Sequence, residues 1–219
     1  MSKIIFLAGA HRSGKTTLAE NLAPMLNNAQ PLYMNTGEMI EGAGFDMHTN
    51  DFSEVIERQK HIFYIAMEKY IELLQDGNQT IYVADRSPLD YLAYTAMMFD
   101  IGTVANVRQN ERVYADHVFT TMLETCAEFY KKFSPFFRVY VCEPLEYTSA
   151  VEGKGKPSKA AQLAIHAMMV GLYQSVTGAP LSSEQMGRLI PSASIHRRAI
   201  MMVHNLERDY FLTRRAFVA

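Results

Sequence analysis

A glycine-rich segment near the start of the chain, Gly9 to Thr16, constrains the fold more than any other feature of the sequence. It reads G-A-H-R-S-G-K-T and satisfies the phosphate-loop pattern G-x-x-x-x-G-K-[ST]. The mostly apolar run before it, residues 3–8, predicts a buried strand, and residues 17–23 predict a helix. A strand, a glycine loop and a helix in this order direct backbone N–H groups and the positive end of a helix dipole toward one point. We therefore predict that a polyphosphate binds here.

The parts of this loop have separate predicted roles. Lys15 is expected to reach the β- and γ-phosphates of ATP, and the Thr16 hydroxyl to hold Mg²⁺. The glycines allow the backbone to approach the phosphates closely. The alternative is a chance match in an ordinary strand-to-helix turn. The residues of the loop predicted to bind the nucleotide are Gly9, His11, Arg12, Ser13, Gly14, Lys15, Thr16 and Thr17.

Length and composition favour one ordered domain. The 219 residues are enough for a single domain, residues 1–219, with at most an inserted lid, and a hydrophobic fraction of 48% supplies a full core. The formal net charge of −2 provides no strong basic field that would attract nucleic acid. We therefore expect a small-molecule partner and a monomer or homodimer.

Cysteine usage and the N-terminal apolar stretch indicate the compartment. Cys126 and Cys142 lie in apolar contexts without C-x-x-C spacing, which predicts reduced core residues in a reducing compartment. The stretch from Ile4 to Ala10 is too short for a signal sequence or a membrane span. A cytoplasmic protein without membrane association is expected.

Strand and helix patterns alternate along the chain, which is typical of an α/β fold with a mostly parallel sheet. Residues 36–51, which contain three glycines, are expected to be irregular. Strands are predicted at about 3–8, 30–35, 79–84, 136–142 and 188–190. Helices are predicted at about 15–27, 53–75, 88–99, 107–133 and 158–176, with a last helix at the C-terminal end.

Asp85, Arg86 and Ser87 directly follow the strand predicted at 79–84. In an open parallel sheet, ligands bind at the carboxyl ends of the strands, so Asp85 should emerge beside the phosphate loop. An acid there is suited to hold Mg²⁺ or to accept the proton of an attacking hydroxyl, and the planar fork of Arg86 is suited to clamp a phosphate. The alternative is that Asp85 and Ser87 only cap the helix that begins near Pro88.

A polar, glycine-broken segment at about 150–160 contains Glu152, Lys154, Lys156 and Lys159. A basic lid here, with Lys154 contacting the transferring group, would supply cations and exclude water during phosphoryl transfer. A solvated surface loop is an equally good interpretation.

The segment after the last strand, residues 191–194, is either close to a bound adenine or a routine turn in which Ser192 or Ser194 caps the final helix. Arg197 is the residue predicted to stack on the adenine, although a solvated helix face is favoured for the pair Arg197 and Arg198. No spacing of His, Cys and Asp residues suggests zinc.

Residues for a second substrate are sought beyond the second strand and on the long helix. Those predicted to surround an acceptor are Glu38, Asp46, Arg58 and Gln59, with Arg86 and Lys154 from the segments above, and Thr36 lies in the same region. Arg58 and Gln59 are adjacent and could bind the edge of a base. Exposed polar residues of a helix are the alternative.

Two motifs, G-A-H-R-S-G-K-T-T-L and D-R-S-P-L-D-Y-L-A-Y, resemble those of P-loop nucleoside and nucleotide kinases, above all the kinase domain of the NadR type and its AAA-like ATPase relatives. The second is similar to the Glu-Arg-Ser motif of deoxynucleoside kinases and the Asp-Arg-aromatic motif of thymidylate kinases. The resemblance implies that Asp85 is a base or metal ligand and Arg86 a phosphate clamp. Residues 152–154 stand where the family often has Asp-Gly-x-Arg, so lysine replaces the expected lid arginine.

The resemblance implies a three-layer P-loop NTPase fold, with a five-stranded parallel sheet in the order 2-3-1-4-5 and helices on both faces. The favoured activity is an ATP- and Mg²⁺-dependent kinase for a nucleoside, nucleotide or related small molecule. The alternatives are a kinase for a nucleic-acid end or a modified base in DNA, which only the pairs Arg197-Arg198 and Arg214-Arg215 support, and a nucleotide-binding regulatory ATPase. The chain has no N-K-x-D or D-x-x-G motif, which argues against a GTPase.

Overall fold

The central element of the computed structural model is a parallel sheet of five strands in the order β2-β3-β1-β4-β5, as predicted. The structure describes residues 1–100, 107–145, 158–181, 187–209 and 211–212. The strands are β1 (Lys3–Gly9), β2 (Ala29–Leu32), β3 (Ile81–Ala84), β4 (Phe137–Cys142) and β5 (Gly187–Ile190). Because all of them run in one direction, their carboxyl ends form one edge of the sheet.

Seven helices connect and cover these strands in the described parts of the chain. They are α1 (Lys15–Leu22), α2 (Thr36–Gly42), α3 (Phe52–Gln75), α4 (Pro88–Asp100), α5 (Gln109–Phe133), α6 (Lys159–Thr177) and α7 (Ile195–Arg208). Helix α1 ends earlier than predicted, because the chain tightens into a 3₁₀ turn at Ala23–Met25 that contains a proline. The ends of the other predicted helices lie within two residues of the observed ones or, for α7, were not specified.

Alternation along β1 explains why helices lie on both faces of the sheet. Ile4 and Phe6 point into a large apolar cluster with α3, α4, α5 and α6, whereas Ile5 and Leu7 point into a smaller one with α1 and α7. All four side chains are fully buried. This is the pattern expected for a strand covered on both sides, and it confirms the predicted three layers.

The expectation of an irregular segment at 36–51 is wrong for its first half, where α2 forms. The Asn35 side chain accepts a hydrogen bond from the Glu38 N–H and so caps the helix, and Ile40 is buried in the larger cluster. Capping and burial outweigh the low helix propensity of Gly37 and Gly42. The helix ends before Gly44, whose φ of 77° suits glycine.

None of the helices in the described ranges combines the length and the apolar character needed to cross a membrane.

Candidate active site

The phosphate loop links β1 to α1, and two of its positions require glycine. A Cβ atom added to Gly9 would lie 2.8 Å from the Ser13 Oγ and 2.9 Å from the Cys142 carbonyl oxygen. Gly14 has a φ of 84°, and a Cβ there would lie 2.8 Å from the Ile195 Cδ1. The loop is therefore packed tightly against the ends of β4 and α7.

Lys15 is buried within this loop. Its ammonium donates hydrogen bonds to the carbonyl oxygens of Gly9 (2.5 Å) and Ala10 (3.0 Å), and it lies 3.6 Å from the Asp90 Oδ1. Burial lowers the pKa of Lys15, and the charge of Asp90 acts against that shift. The positive charge is thus held at the loop by neutral carbonyls and one carboxylate. Phosphate oxygens are stronger acceptors than these carbonyls.

The two residues predicted to hold Mg²⁺ are in direct contact. The Thr16 hydroxyl donates a 2.9 Å hydrogen bond to the Asp85 Oδ2, and the Asp85 Oδ1 accepts one of 3.2 Å from the Met34 N–H. A hydroxyl and one carboxylate are a suitable protein contribution to a Mg²⁺ site, since this ion usually completes its shell with waters and substrate phosphates. The described residues contain no group of three or more acidic, His or Cys side chains that could hold a metal ion.

Ser87 caps α4 and forms hydrogen bonds with Asp90. Asp90 is not among the site residues that the sequence predicted. The Asp90 carboxylate accepts hydrogen bonds from the Ser87 Oγ (2.6 Å) and the Ser87 N–H (2.9 Å), and the Asp90 N–H donates to the Ser87 Oγ. Asp90 is only 1% exposed, and its Oδ1 lies between the Lys15 Nζ and the Arg86 Nη1, which is 3.9 Å away. The spacing Ser-x-x-Asp is a capping-box pattern and is the signal that could have identified it.

Besides its contact with Asp90, Arg86 has two further contacts, one through its side chain and one through its backbone. Its guanidinium lies 5.6 Å from the centre of the Tyr94 ring, and its carbonyl oxygen accepts a hydrogen bond from the Tyr70 hydroxyl. Burial lowers the pKa of Arg86, but Asp90 and the neighbouring tyrosines outweigh burial, so the pKa is raised overall. Its backbone and its side chain are thus fixed at the carboxyl end of β3.

Two adjoining cavities open at this edge of the sheet, with His11 and Arg86 common to both. The first, of about 280 Å³, is lined by His11, Arg12, Gly14, Lys15, Thr16, Thr17, Asp85 and Arg86. The second, of about 200 Å³, is lined by the polar residues His11, Thr36, Arg58, Gln59, Arg86 and Asp90 and by apolar and aromatic residues that include Met47, Tyr91 and Tyr94. The two acids are divided between them: Asp85 borders the first cavity and Asp90 the second.

The second cavity contains Arg58 and Gln59 as buried residues, not as members of an exposed helix face. The Gln59 Oε1 accepts a hydrogen bond from the Thr95 Oγ1 on α4 (3.3 Å), and the Arg58 Nη1 donates to the Asp46 carbonyl oxygen (2.6 Å). The buried Arg58 Nε has no hydrogen-bond partner among the described residues. Both side chains therefore present polar atoms from a fixed position on α3.

The other predicted acceptor residues lie elsewhere. Glu38 is exposed and borders a groove between α2 and α3, outside both cavities. Asp46 contacts Arg58 only through its backbone, and its carboxylate accepts from the His48 N–H. Glu38 is turned outward because it occupies the first turn of α2, the helix that the sequence reasoning missed. Lys154 and most of the predicted lid, like Arg214 and Arg215, fall outside the described residues.

Arg197 and Arg198, for which the sequence favoured one solvated helix face, have different environments in the structure. The Ser194 side chain caps α7 by accepting from the Arg197 N–H, as the turn interpretation expected, and the Arg197 side chain is exposed. Arg198 is instead fully buried, so a solvated face is wrong for it. Its guanidinium lies between three loops. The helical spacing of Arg198 with Met202 and Leu206 is the signal that could have placed it on the buried face of α7.

The chain is similar to known proteins in its three-dimensional structure but not in its sequence. No protein family and no curated protein matches the chain. NadR protein in complex with NAD and AMP-PNP has a TM-score of 0.60 at 15% identity, covering 97% of this chain and 50% of that one. NadR protein in complex with NR has a TM-score of 0.60 at 14% identity, with 97% and 52% covered. The chain thus spans about half the length of these NadR structures.

A thymidylate kinase from Candida albicans has a TM-score of 0.57 at 14% identity, with 100% of this chain and 98% of that chain covered. At such low identities the comparisons establish the fold and nothing finer. The chain has the fold of P-loop kinases, in agreement with the resemblance seen in its motifs.

Proposed function

We propose that this protein is an ATP- and Mg²⁺-dependent phosphotransferase that acts on a nucleoside, a nucleotide or a related small molecule. The observation that carries the proposal is the contact between Thr16 and Asp85, which both line the phosphate-loop cavity, directly beside a second cavity. A polyphosphate in the first cavity and an acceptor in the second would meet at Arg86, which borders both.

The loop residues would bind ATP through backbone N–H groups from Gly14 to Thr17 and through the Lys15 ammonium. Lys15 would exchange its two loop carbonyls for phosphate oxygens. Thr16 and Asp85 would hold Mg²⁺, which neutralises charge on the β- and γ-phosphates when it is bound. Of the C-terminal residues, Arg197 stays a proposed adenine contact.

The second cavity would bind the acceptor. Arg58 and Gln59 would donate hydrogen bonds to it, and Tyr91 and Tyr94 would pack against a ring. The acceptor oxygen would form a bond to the γ-phosphorus as the bond to the β-phosphate oxygen breaks, and the hydroxyl proton would pass to a carboxylate. Arg86 would stabilise the transferring group, because its fork binds two phosphate oxygens at once.

The size of this cavity favours a small acceptor. A cavity of about 200 Å³ that is bordered by side chains of α2, α3 and α4 suits a single nucleoside better than the end of a duplex. The regulatory-ATPase alternative provides no role for the buried polar groups of Arg58 and Gln59.

Incubation of the purified protein with γ-labelled ATP, Mg²⁺ and separate pools of nucleosides, nucleotides and oligonucleotides tests the proposal. Label transferred to a small molecule is the expected result. Label found only on oligonucleotides would favour the nucleic-acid kinase, and label found only as inorganic phosphate would favour the regulatory ATPase.

A further inference from the structure

Arg198 is the largest fully buried side chain of the described residues, at 0% exposure. Its Nη1 donates a 2.8 Å hydrogen bond to the Ser13 carbonyl oxygen, its Nη2 one of 2.8 Å to that of Glu143, and its Nε one of 3.0 Å to that of Pro191. These three acceptors follow β1, β4 and β5. One guanidinium therefore ties together three loops at the edge of the sheet where ligands are expected.

The charge of this arginine is not neutralised by a close acid. No carboxylate of the described ranges lies within 4 Å of it, and the Glu143 carboxylate accepts a hydrogen bond from the Ser192 N–H instead. Burial lowers the pKa of Arg198, with Glu143 acting in the opposite sense, but a guanidinium remains charged in proteins. A buried cation bonded to neutral carbonyls is costly for stability alone, which points to a role in binding an anion.

The hydrogen bond to Ser13 fixes the direction of a peptide group in the phosphate loop. In a trans peptide the C=O and the N–H point in opposite directions, and no cis peptide occurs in the described chain. The Ser13 carbonyl points toward Arg198, so the Gly14 N–H is directed to the other side, where Gly14 lines the first cavity. Gly14 has no Cβ to hinder rotation of this peptide, so the hydrogen bond from Arg198 adds a restraint to those given by the packing of the loop against Ile195.

We propose that Arg198 is a positioning residue that orients the Gly14 N–H toward a bound polyphosphate and places a fixed positive charge behind the loop. This inference rests on the proposed function, because it requires a polyphosphate in the first cavity. Arg198 acts through the loop backbone and does not border the cavity itself.

The test compares the binding of Mg²⁺-ATP and of inorganic tripolyphosphate to the wild type and to Arg198→Lys by calorimetry. Lysine keeps the charge but cannot bridge three carbonyls, since it lacks the planar fork. We expect the Kd of both ligands to rise by the same factor, on the order of tenfold, the loss typical of one charge-assisted hydrogen bond. An equal increase in the Kd of ATP and of tripolyphosphate would mean that the variant has lost contacts to the phosphates and not to the adenine, which tripolyphosphate lacks.

Arg188→Lys is the matched control. Arg188 on β5 is also largely buried, and its Nε donates to the Asp209 Oδ2 (3.1 Å), but it does not contact the phosphate loop. We expect this variant to lose stability and to keep the wild-type Kd for both ligands. Arg198→Gln, which removes the charge as well as the fork, should bind more weakly than Arg198→Lys.

Wild-type affinity for tripolyphosphate in a folded Arg198→Lys protein would overturn the inference. So would failure of both Arg198 variants to fold, since the side chain would then support the whole fold and not the loop in particular. A wild-type protein that binds neither ligand would instead refute the proposed function, so the two failures are distinguishable.

Discussion

Lys15 is the residue on which the electrostatics of the loop depend, because its ammonium contacts both the loop carbonyls and Asp90. We expect Lys15→Ala to lower turnover by about 100-fold or more, the loss typical when a main electrostatic contact to the reacting group is removed. Arg86 remains 3.9 Å from Asp90, so the buried carboxylate keeps a cationic neighbour and the variant should fold. Steady-state kinetics measures the turnover, and a thermal melt followed by circular dichroism shows whether the variant is folded. Turnover above about a tenth of the wild-type value would show that the loop is not the active site.

Asp85 and Asp90 provide a direct comparison, because one borders the phosphate-loop cavity and the other the second cavity. We expect Asp85→Asn to lower kcat and to raise the Mg²⁺ concentration needed for half-maximal activity, since an amide oxygen is a weaker, uncharged ligand. Asp90→Asn should leave this Mg²⁺ requirement unchanged. Titration of activity with Mg²⁺ at saturating ATP is the measurement. An unaltered Mg²⁺ requirement in Asp85→Asn would exclude a metal-binding role for this carboxylate.

The residues that could be predicted from the sequence lie in a motif or directly after a recognisable strand, and Arg198 does neither. The loop motif is contiguous, and Asp85 follows a recognisable strand, so both could be predicted. The contact of Arg198 with Ser13 could not, because the two are 185 positions apart, although the helical spacing of Arg198 with Met202 and Leu206 does indicate a buried face. The two residues before Arg198, His196 and Arg197, are exposed, whereas Ala199 after it is fully buried, so the charged run by itself gives the wrong interpretation.

Three helices build the second cavity, and the contact between α3 and α4 sets its shape. The Thr95 hydroxyl on α4 donates to the Gln59 carboxamide oxygen on α3, which leaves the Gln59 NH₂ group available for other acceptors. Sequence patterns predicted both helices and their approximate ends. They could not show that Gln59 faces Thr95, because periodicity gives the buried face of a helix but not the element it packs against.

This contact leads to a prediction for the acceptor. We expect Thr95→Val to raise the KM of the acceptor several-fold, because the carboxamide loses the bond that orients it, and to leave the KM of ATP unchanged. Thr125→Val on α5 is the control, since the Thr125 hydroxyl donates only to the Thr121 carbonyl oxygen of its own helix. Kinetics with the acceptor found in the labelling experiment gives both constants. Equal effects of the two variants would mean that the Gln59 orientation does not contribute to acceptor binding.

At the scale of the whole molecule, the sheet separates two apolar layers, and each contains one free cysteine. Cys126 lies in the larger cluster and Cys142, at the end of β4, in the smaller one, and both are fully buried. Burial raises the pKa of Cys142 to about 11 and also raises the pKa of Cys126. Alkylation requires the thiolate and access to it, so both thiols should react only when the layer that covers them opens.

This arrangement tests whether residues 1–219 form one cooperative domain. If the layers open together, iodoacetamide should alkylate both cysteines slowly. The ratio of the rate in the folded protein to the rate in the unfolded chain should then be the same for Cys126 and Cys142. Mg²⁺-ATP at 100 times its Kd should slow both by about 100-fold, because the ligand stabilises the closed state by the factor 1 + [L]/Kd. The Lys15→Ala variant should show little of this protection.

Mass spectrometry of the two cysteine-containing peptides gives the separate rates. Much faster alkylation of Cys142 would mean that the layer of α1 and α7 opens on its own, contrary to a single cooperative unit.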